Sequence, residues 1–397
     1  FCDKLNSRTH LFGFDNGVYD LEASVFRKGA PEDYVGQSAG YCIPVSDDEL
    51  PIKLDDLLSN IQSLDGYSQA DQELTDFIEK VFPKTDVREY ALRFVSSCLS
   101  GEVREEKFYF WTGSGSNGKS KFTDLIDLTF GDYSKPLDVS YITQKRGQSS
   151  SASPEIELIR YARFICMSEP GPNDGAINIG KLKQMTGGDK MTSRGLFKNT
   201  TQFKPQFKIT LMCNDKPEIN GQDEGTWRRI EVVDFISKFK NDPNPTISNP
   251  HVYQMDDQLV KKLENWKILF ATMLFNKYKD YNKPKKEGGG TNPPQSVINS
   301  SQEYRSSNDA ITMWIMDHCK PCDELSPFNN LYSSFSDWYD DENTNPKNKP
   351  QRKDIKNALI KWQDKSKWGL VLGREAKDNQ PNGTMRNPKF NLIPMIE

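Results

Sequence analysis

Residues 113–120 read Gly113-Ser114-Gly115-Ser116-Asn117-Gly118-Lys119-Ser120, the spacing G-x-x-x-x-G-K-S. Glycines at these positions let successive backbone N–H groups turn inward around an anion, and a helix starting at the loop adds its partial positive charge. In such a cradle Lys119 reaches the β- and γ-phosphates and Ser120 can hold Mg²⁺. A chain of average composition produces the spacing by chance on the order of one time in fifty. The flanks agree: Lys107-Phe108-Tyr109-Phe110-Trp111 reads as a short strand ending at the loop, and a helical pattern follows from about Gly118. The segment predicts a nucleoside-triphosphate site, with residues 113–120 binding the nucleotide.

Hydrolysis needs more than a cradle; it needs a carboxylate that orients a water and a partner for the γ-phosphate. The apolar run at 162–167 ends in Ser168-Glu169, and a strand-end carboxylate faces the same crevice as the phosphate loop. Glu169 is therefore the expected water-activating base. The apolar run Lys208 to Cys213 ends at Asn214, placed to meet the γ-phosphate or the attacking water. Gly225-Thr226-Trp227-Arg228-Arg229 then precedes another apolar run, and an arginine pair there suits a charge supplied in trans. Strands alternating with helices after a glycine loop predict a mainly parallel α/β sheet.

The remaining chain divides by pattern. Residues 10–28 alternate apolar and polar around Asn16-Gly17, a hairpin or short meander, and helical spacing runs from Leu54 to about Leu99. Residues 252–281 carry a long amphipathic helix pattern, and Lys283 to Ser296 (KPKKEGGGTNPPQS) has the composition of a linker. Helical stretches at 310–318, 331–339 and 353–365, then strands at 368–372 and 390–393, predict a winged-helix-like end with its basic helix toward nucleic acid. The expected domains are an N-terminal hairpin and helical collar (1–102), an ATPase core (103–250), a long helix and linker (251–296) and the winged-helix-like domain (297–397).

The net charge of −4 argues against an overall nucleic-acid coat, but the distribution is uneven. Ser46 to Glu79 holds ten acids against Lys53, whereas Lys181 to Lys208 holds seven bases against Asp189. No apolar run approaches the roughly 18–20 residues that span a bilayer. Seven scattered cysteines fit reduced intracellular thiols, and His318-Cys319-Lys320-Pro321-Cys322 lacks the second half of a zinc site. The chain opens on Phe1, so it reads as a piece of a longer protein.

Taken in order, GSGSNGKS, FICMSE, TGGDKMTSR, FKPQFKITLMCNDKPEI and GTWRRIEVVDF resemble the superfamily 3 helicases, and more narrowly the primase–helicases of large DNA viruses (the poxvirus type) and related phage and plasmid primases. The resemblance covers about Phe108 to Phe235. It implies a homo-hexameric ring of AAA+-type P-loop modules with ATP bound between subunits, acting on single-stranded or forked DNA with other replication proteins. It makes Lys119 and Ser120 the first motif, Glu169 the acid of the second, Asn214 the sensor, and Arg228 or Arg229 the finger reaching a neighbour's ATP. It also implies a channel hairpin near Met191 to Gln202, with Arg194, Phe197 and Lys198 on DNA. The basic stripe agrees, since phosphate contacts give sequence-independent binding and an aromatic at the tip can stack on a base. One departure is Ser168, where the family's second motif has another acid; Mg²⁺ then rests on Ser120 and waters, with Glu169 near it. No carboxylate cluster of a primase is present, so that activity would lie upstream. A virus factory in the host cytoplasm, a nucleus or a bacterial cytoplasm would all suit the composition. A small-molecule kinase, or an ATP-dependent initiator or scaffold that does not unwind DNA, shares the cradle.

Overall fold

The protein is described by a computed structural model over residues 4–143, 154–171, 175–193, 201–219, 223–342, 349–353, 355–356, 358–359 and 389–394. It divides into two compact units, Phe1–Ser301 and Gln302–Glu397. In the first, β1 (Leu11–Phe14), β2 (Gly17–Asp20), β3 (Val25–Arg27) and β4 (Ile52–Lys53) form an antiparallel meander. The expected turn shifts by one residue: Phe14 pairs with Gly17, so Asp15 and Asn16 make it. Gly17 is needed for packing instead, because a Cβ there would stand 2.5 Å from the Arg27 carbonyl oxygen and 2.8 Å from the Phe26 ring. Helices α1 (Leu54–Gln62), α2 (Tyr67–Val81) and α3 (Thr85–Ser97) follow, burying Leu57, Ile61, Leu74, Phe77, Ile78 and Val81 at helical spacing.

The phosphate loop leaves β5 (Phe108–Thr112) and enters α4 (Lys119–Phe130). Next come β6 (Ser134–Pro136), the short helices α5 (Ser140–Thr143) and α6 (Pro154–Leu158), β7 (Phe164–Met167) and α7 (Ile179–Thr186). A two-stranded antiparallel hairpin of β8 (Met191–Ser193) and β9 (Thr201–Phe203) leads to β10 (Lys208–Cys213), the short helix α8 (Glu224–Trp227) and β11 (Ile230–Asp234). The sheet has the order β11-β5-β10-β7-β6, with every pairing parallel. All five residues of β5 are buried, as a central strand covered on both faces requires.

Strands β12 (Lys238–Lys240) and β13 (Val252–Gln254) pair in parallel. The long helix α9 (Leu259–Asn282) therefore starts later than its pattern alone indicates. It packs on α1 to α4, burying Leu263, Trp266, Phe270 and Leu274, and stacks Phe275 flat on Tyr19 with ring centroids 3.8 Å apart. Two buried cations fasten the N-terminal elements to the sheet. Arg163 donates to the Leu99 and Leu11 carbonyls and lies 4.7 Å from the Tyr133 ring centre. Lys208 donates to Ser97 O at 2.9 Å and Ser100 O at 2.5 Å, where the chain leaves α3.

The segment after α9, linker-like in composition, is docked. Arg93 donates to Gly288 O and Gly290 O, and a Cβ on Gly289 would stand 1.7 Å from Lys283 O. Helix α10 (Gln295–Ser307) follows. In the second unit α11 (Ala310–His318), β14 (Cys319–Pro327), α12 (Phe328–Glu342) and β15 (Lys389–Pro394) surround Trp314, Leu331 and Phe335. The expected final strand is β15, but its partner is β14, a segment whose two prolines and missing alternation gave no strand signal. The expected strand at 368–372 lies outside the described residues, as does most of the basic helix expected at 353–365.

Candidate nucleotide site

Parallel registers bring the parts of the site to one edge of the sheet. Cys213 pairs with Thr112, so Asn214 follows beside Gly113, and Leu211 pairs with Met167, which brings Glu169 to the same edge. This is the carboxyl end of the strands beside a reversal in strand order, where open α/β sheets form their ligand crevice.

The loop keeps left-handed backbone at Gly115 (φ 66°), Ser116 (φ 49°) and Gly118 (φ 87°). At Gly118 a Cβ would also come within 2.9 Å of Val81. Asn117 is 3% exposed, and its side-chain nitrogen Nδ2 is buried without a hydrogen-bond acceptor. Lys119 is 7% exposed and its ammonium donates to Gly113 O (2.6 Å), Cys213 O (3.1 Å) and Asn214 Oδ1 (3.3 Å). All three partners are neutral oxygens. Burial lowers the Lys119 pKa, with the nearby Cys213 and Glu169 pulling the other way. A buried ammonium without a bonded counter-ion, beside a loop of inward-turning N–H groups, fits a phosphate anion.

Glu169 receives the Asn214 backbone N–H at Oε1 and its side-chain amide at Oε2, both at 2.9 Å. Lys119, Asn214 and Glu169 thus form one connected set. Ser120 and Ser168 are exposed at the same edge. A cleft of about 90 Å³ opens beside the loop, lined by Val81, Phe82, Val87, Ile236, Val297 and the partly buried Ser296, among others.

Arg228 and Arg229 are elsewhere. They precede β11, whose Ile230 pairs with Phe108 at the start of β5, while the phosphate loop follows the end of β5. Five residues at about 3.3 Å each put them roughly 16 Å from the loop. Both donate to Glu106 Oε2, Arg228 at 2.9 Å and Arg229 at 3.1 Å. Their side chains differ in access, at 54% exposed for Arg228 and 12% for Arg229.

The hairpin expected between the second motif and the sensor exists as β8 and β9, but Arg194, Phe197 and Lys198 lie outside the described residues. The basic stripe around it is smaller than its sequence count. Lys208 is buried, Lys183 pairs with Asp223 at 2.6 Å, and Lys181 bonds the Tyr141 carbonyl.

Two residues at these sites carry no sequence signal. Glu106 has left-handed backbone (φ 51°), which directs its carboxylate to the arginines. Lys238 lies on the phosphate loop, donating to Ser114 O (2.5 Å), Ser114 Oγ (2.6 Å) and Gly115 O (3.3 Å). It stands four residues beyond a strand, where nothing local sets it apart.

A phosphate loop joining the first strand and helix of a parallel five-stranded sheet defines a P-loop NTPase core. No protein-family profile matches the chain. Among curated proteins it is 36% identical over 369 residues to "Putative helicase L207/L206" of Acanthamoeba polyphaga mimivirus, covering 90% of this chain and 36% of that protein. It is 28% identical over 357 residues to "Putative helicase 121R" of Invertebrate iridescent virus 3, covering 85% and 36%. With "Putative primase C962R" of African swine fever virus (strain Badajoz 1971 Vero-adapted) it shares 21% over 353 residues, covering 85% and 34%. The chain is a relative of these large-DNA-virus proteins named as helicases and primases, and it spans about a third of their length. No helix among the described residues is long and apolar enough to cross a membrane.

Proposed function

We propose that the chain is the ATP-hydrolysing motor of a viral replicative primase–helicase, a superfamily 3 DNA helicase working as a homo-hexameric ring at the replication fork. The observation that carries this is the placement of two half-sites at opposite ends of one sheet. The loop, Lys119, Asn214 and Glu169 stand at the carboxyl edge, and Arg228 and Arg229 stand one strand length away. This separation supports a site in which a neighbour's arginine, not the chain's own, meets the γ-phosphate, as a ring allows.

Each residue then has a task. Residues 113–118 cradle the phosphates, Lys119 neutralises them, Glu169 takes the proton of an attacking water, and Asn214 aims both. Ser120 and Glu169 would hold Mg²⁺, which when bound supplies positive charge to the phosphate oxygens. The cleft beside the loop would take the base. Arg228, the exposed member of the pair, is the finger. The hairpin carrying Arg194, Phe197 and Lys198 lines the channel and contacts single-stranded DNA.

The acidic segment before the sheet serves as the collar of the AAA+-type core. The order helix, strand, helix and final strand in the second unit supports a winged-helix-like DNA-binding domain. A primase would belong to the part of the longer protein upstream.

ATP turnover, measured with and without single-stranded DNA over a range of protein concentrations, tests the proposal, with Lys119→Ala as control. Stimulation by DNA, a steep rise with concentration and unwinding of a forked duplex are expected. Turnover indifferent to DNA and constant per subunit would favour the small-molecule kinase; stimulation without unwinding would favour the initiator or scaffold.

A further inference from the structure

We infer that Lys238 is a second phosphate-contacting cation of the nucleotide site, acting from the side of the loop opposite Lys119; the inference rests on the nucleotide reading above. Its ammonium is anchored on the loop by Ser114 O, Ser114 Oγ and Gly115 O at 2.5, 2.6 and 3.3 Å. The backbone around it is fixed to the same loop: Phe239 N donates to Ser116 O at 2.8 Å. Lys238 N donates to His251 O at 2.8 Å, which ties the residue into the β12–β13 pair, and Ser237 Oγ donates to Lys80 O at 2.5 Å. The lysine is thus held in place from three directions.

Among the described residues no carboxylate lies within ion-pair distance of Lys238, and the same holds for Lys119. One short loop is therefore met by two ammonium groups, both bonded among the described residues only to neutral oxygens, and Lys238 disfavours the charge of Lys119. That arrangement costs free energy in a partly buried setting and is relieved by an anion with several charges lying between them.

The two lysines approach from different elements. Lys119 rises from α4 toward Gly113, Cys213 and Asn214 on the β10 side, and Lys238 comes from β12 onto Ser114 and Gly115. A polyphosphate turning through the loop passes between them. Lys238 is well suited to this as a compact charge on a flexible stem, able to leave carbonyl oxygens for phosphate oxygens with little movement of backbone.

The test is the affinity of the full chain for a fluorescent non-hydrolysable ATP analogue, in wild type and in Lys238→Ala, Lys238→Gln and Lys238→Arg, at low and moderate salt. Unfolding without nucleotide is followed in parallel, so that a folding defect is seen as such. Glutamine keeps an amide donor for the Ser114 carbonyl and removes the charge, which separates a phosphate contact from a mere pin on the loop. Binding about tenfold weaker is expected for both alanine and glutamine, the size of one charge-assisted contact, with a shallower salt dependence and with arginine close to wild type. Equal affinity of wild type and Lys238→Gln overturns the assignment of Lys238 and leaves the nucleotide site standing. No binding by the wild type overturns the nucleotide site, and the assignment with it.

Discussion

Asn214 holds both oxygens of the Glu169 carboxylate, through its backbone N–H and its side-chain amide, each at 2.9 Å. Its own carbonyl oxygen Oδ1 turns to the Lys119 ammonium at 3.3 Å. The orientation is chemically forced, because only the NH₂ end can face a carboxylate and only the oxygen can face an ammonium. One side chain thereby fixes the distance between the proposed base and the proposed phosphate-binding lysine. Asn214→Asp keeps the shape but sets a carboxylate against Glu169. Turnover of ATP should fall by at least about 10²-fold while labelled nucleotide still binds, the loss typical of a mispositioned base. Phosphate release in steady state measures it, and turnover within about twofold of wild type would remove Asn214 from the chemistry.

The docked segment after α9 is held in part by one distant guanidinium. Arg93 Nη1 donates to Gly288 O at 2.7 Å and Gly290 O at 3.2 Å, and the Gly290 N–H returns to Tyr281 O at 2.8 Å. Arg93→Ala removes about 1.5–3 kcal/mol of charged hydrogen bonding from a locally opening region. Trypsin should then cut at Lys285 or Lys286 about tenfold faster or more, with little change in global unfolding. An unchanged cleavage rate would mean the segment is held by something other than Arg93.

What the sequence reveals and what it hides divide along range. The phosphate loop, β7, β10 and the helices from Leu54 onward were legible because motif and periodicity are local. Lys238 was not, since its importance comes from a parallel pairing of β12 with β13 that carries it onto the loop. The Asn16-Gly17 pattern puts the turn one residue late because that glycine answers to the Phe26 ring and the Arg27 carbonyl rather than to turn geometry. Lys283 to Ser296 looks like a linker until Arg93 is seen to hold it. Lys208 counts as one of seven bases in a stripe, yet its amine is spent inside the protein on the Ser97 and Ser100 carbonyls. Composition reports charge; only the fold reports where the charge points.

That burial has a pH signature. Desolvation pulls the Lys208 pKa down from 10.5 to about 8, with Cys98 the largest opposing influence. Between about pH 8 and 10.5 the unfolded chain therefore binds more protons at this residue than the folded chain. Stability contributed through Lys208 rises with pH across that window; on lowering the pH it is lost down to about 8 and stays constant below. Buried cysteines act in the opposite sense above their ordinary range, Cys98 being pushed up to about 11 and Cys166 to about 12 by burial, so the comparison must be made against a variant. Urea unfolding of wild type and Lys208→Met at pH 8, 9 and 10 should show the stability difference moving in favour of wild type as pH rises. Parallel curves would show that Lys208 titrates alike in both states.

On the proposed reading the arginine pair separates into a structural and a functional member. Arg229 is 12% exposed and bonds both Gly225 O and Glu106 in a part-buried setting, so its loss removes two charge-assisted hydrogen bonds. Arg229→Ala should destabilise the chain by roughly 1–3 kcal/mol in urea. Arg228 is 54% exposed and shares Glu106 in a surface pair, and removing it should cost at most about 1 kcal/mol. Its effect belongs to turnover. Arg228→Ala should lose roughly 10³-fold or more in the assembled protein, the scale of an arginine that stabilises phosphoryl transfer. Because the proposed ring sets the two half-sites on different subunits, mixing Arg228→Ala with Lys119→Ala should restore part of the activity. In such a mixture some interfaces join an intact loop on one chain to an intact Arg228 on the next. A mixture as inactive as its components, at concentrations where wild type assembles and turns over, would place Arg228 outside the shared site.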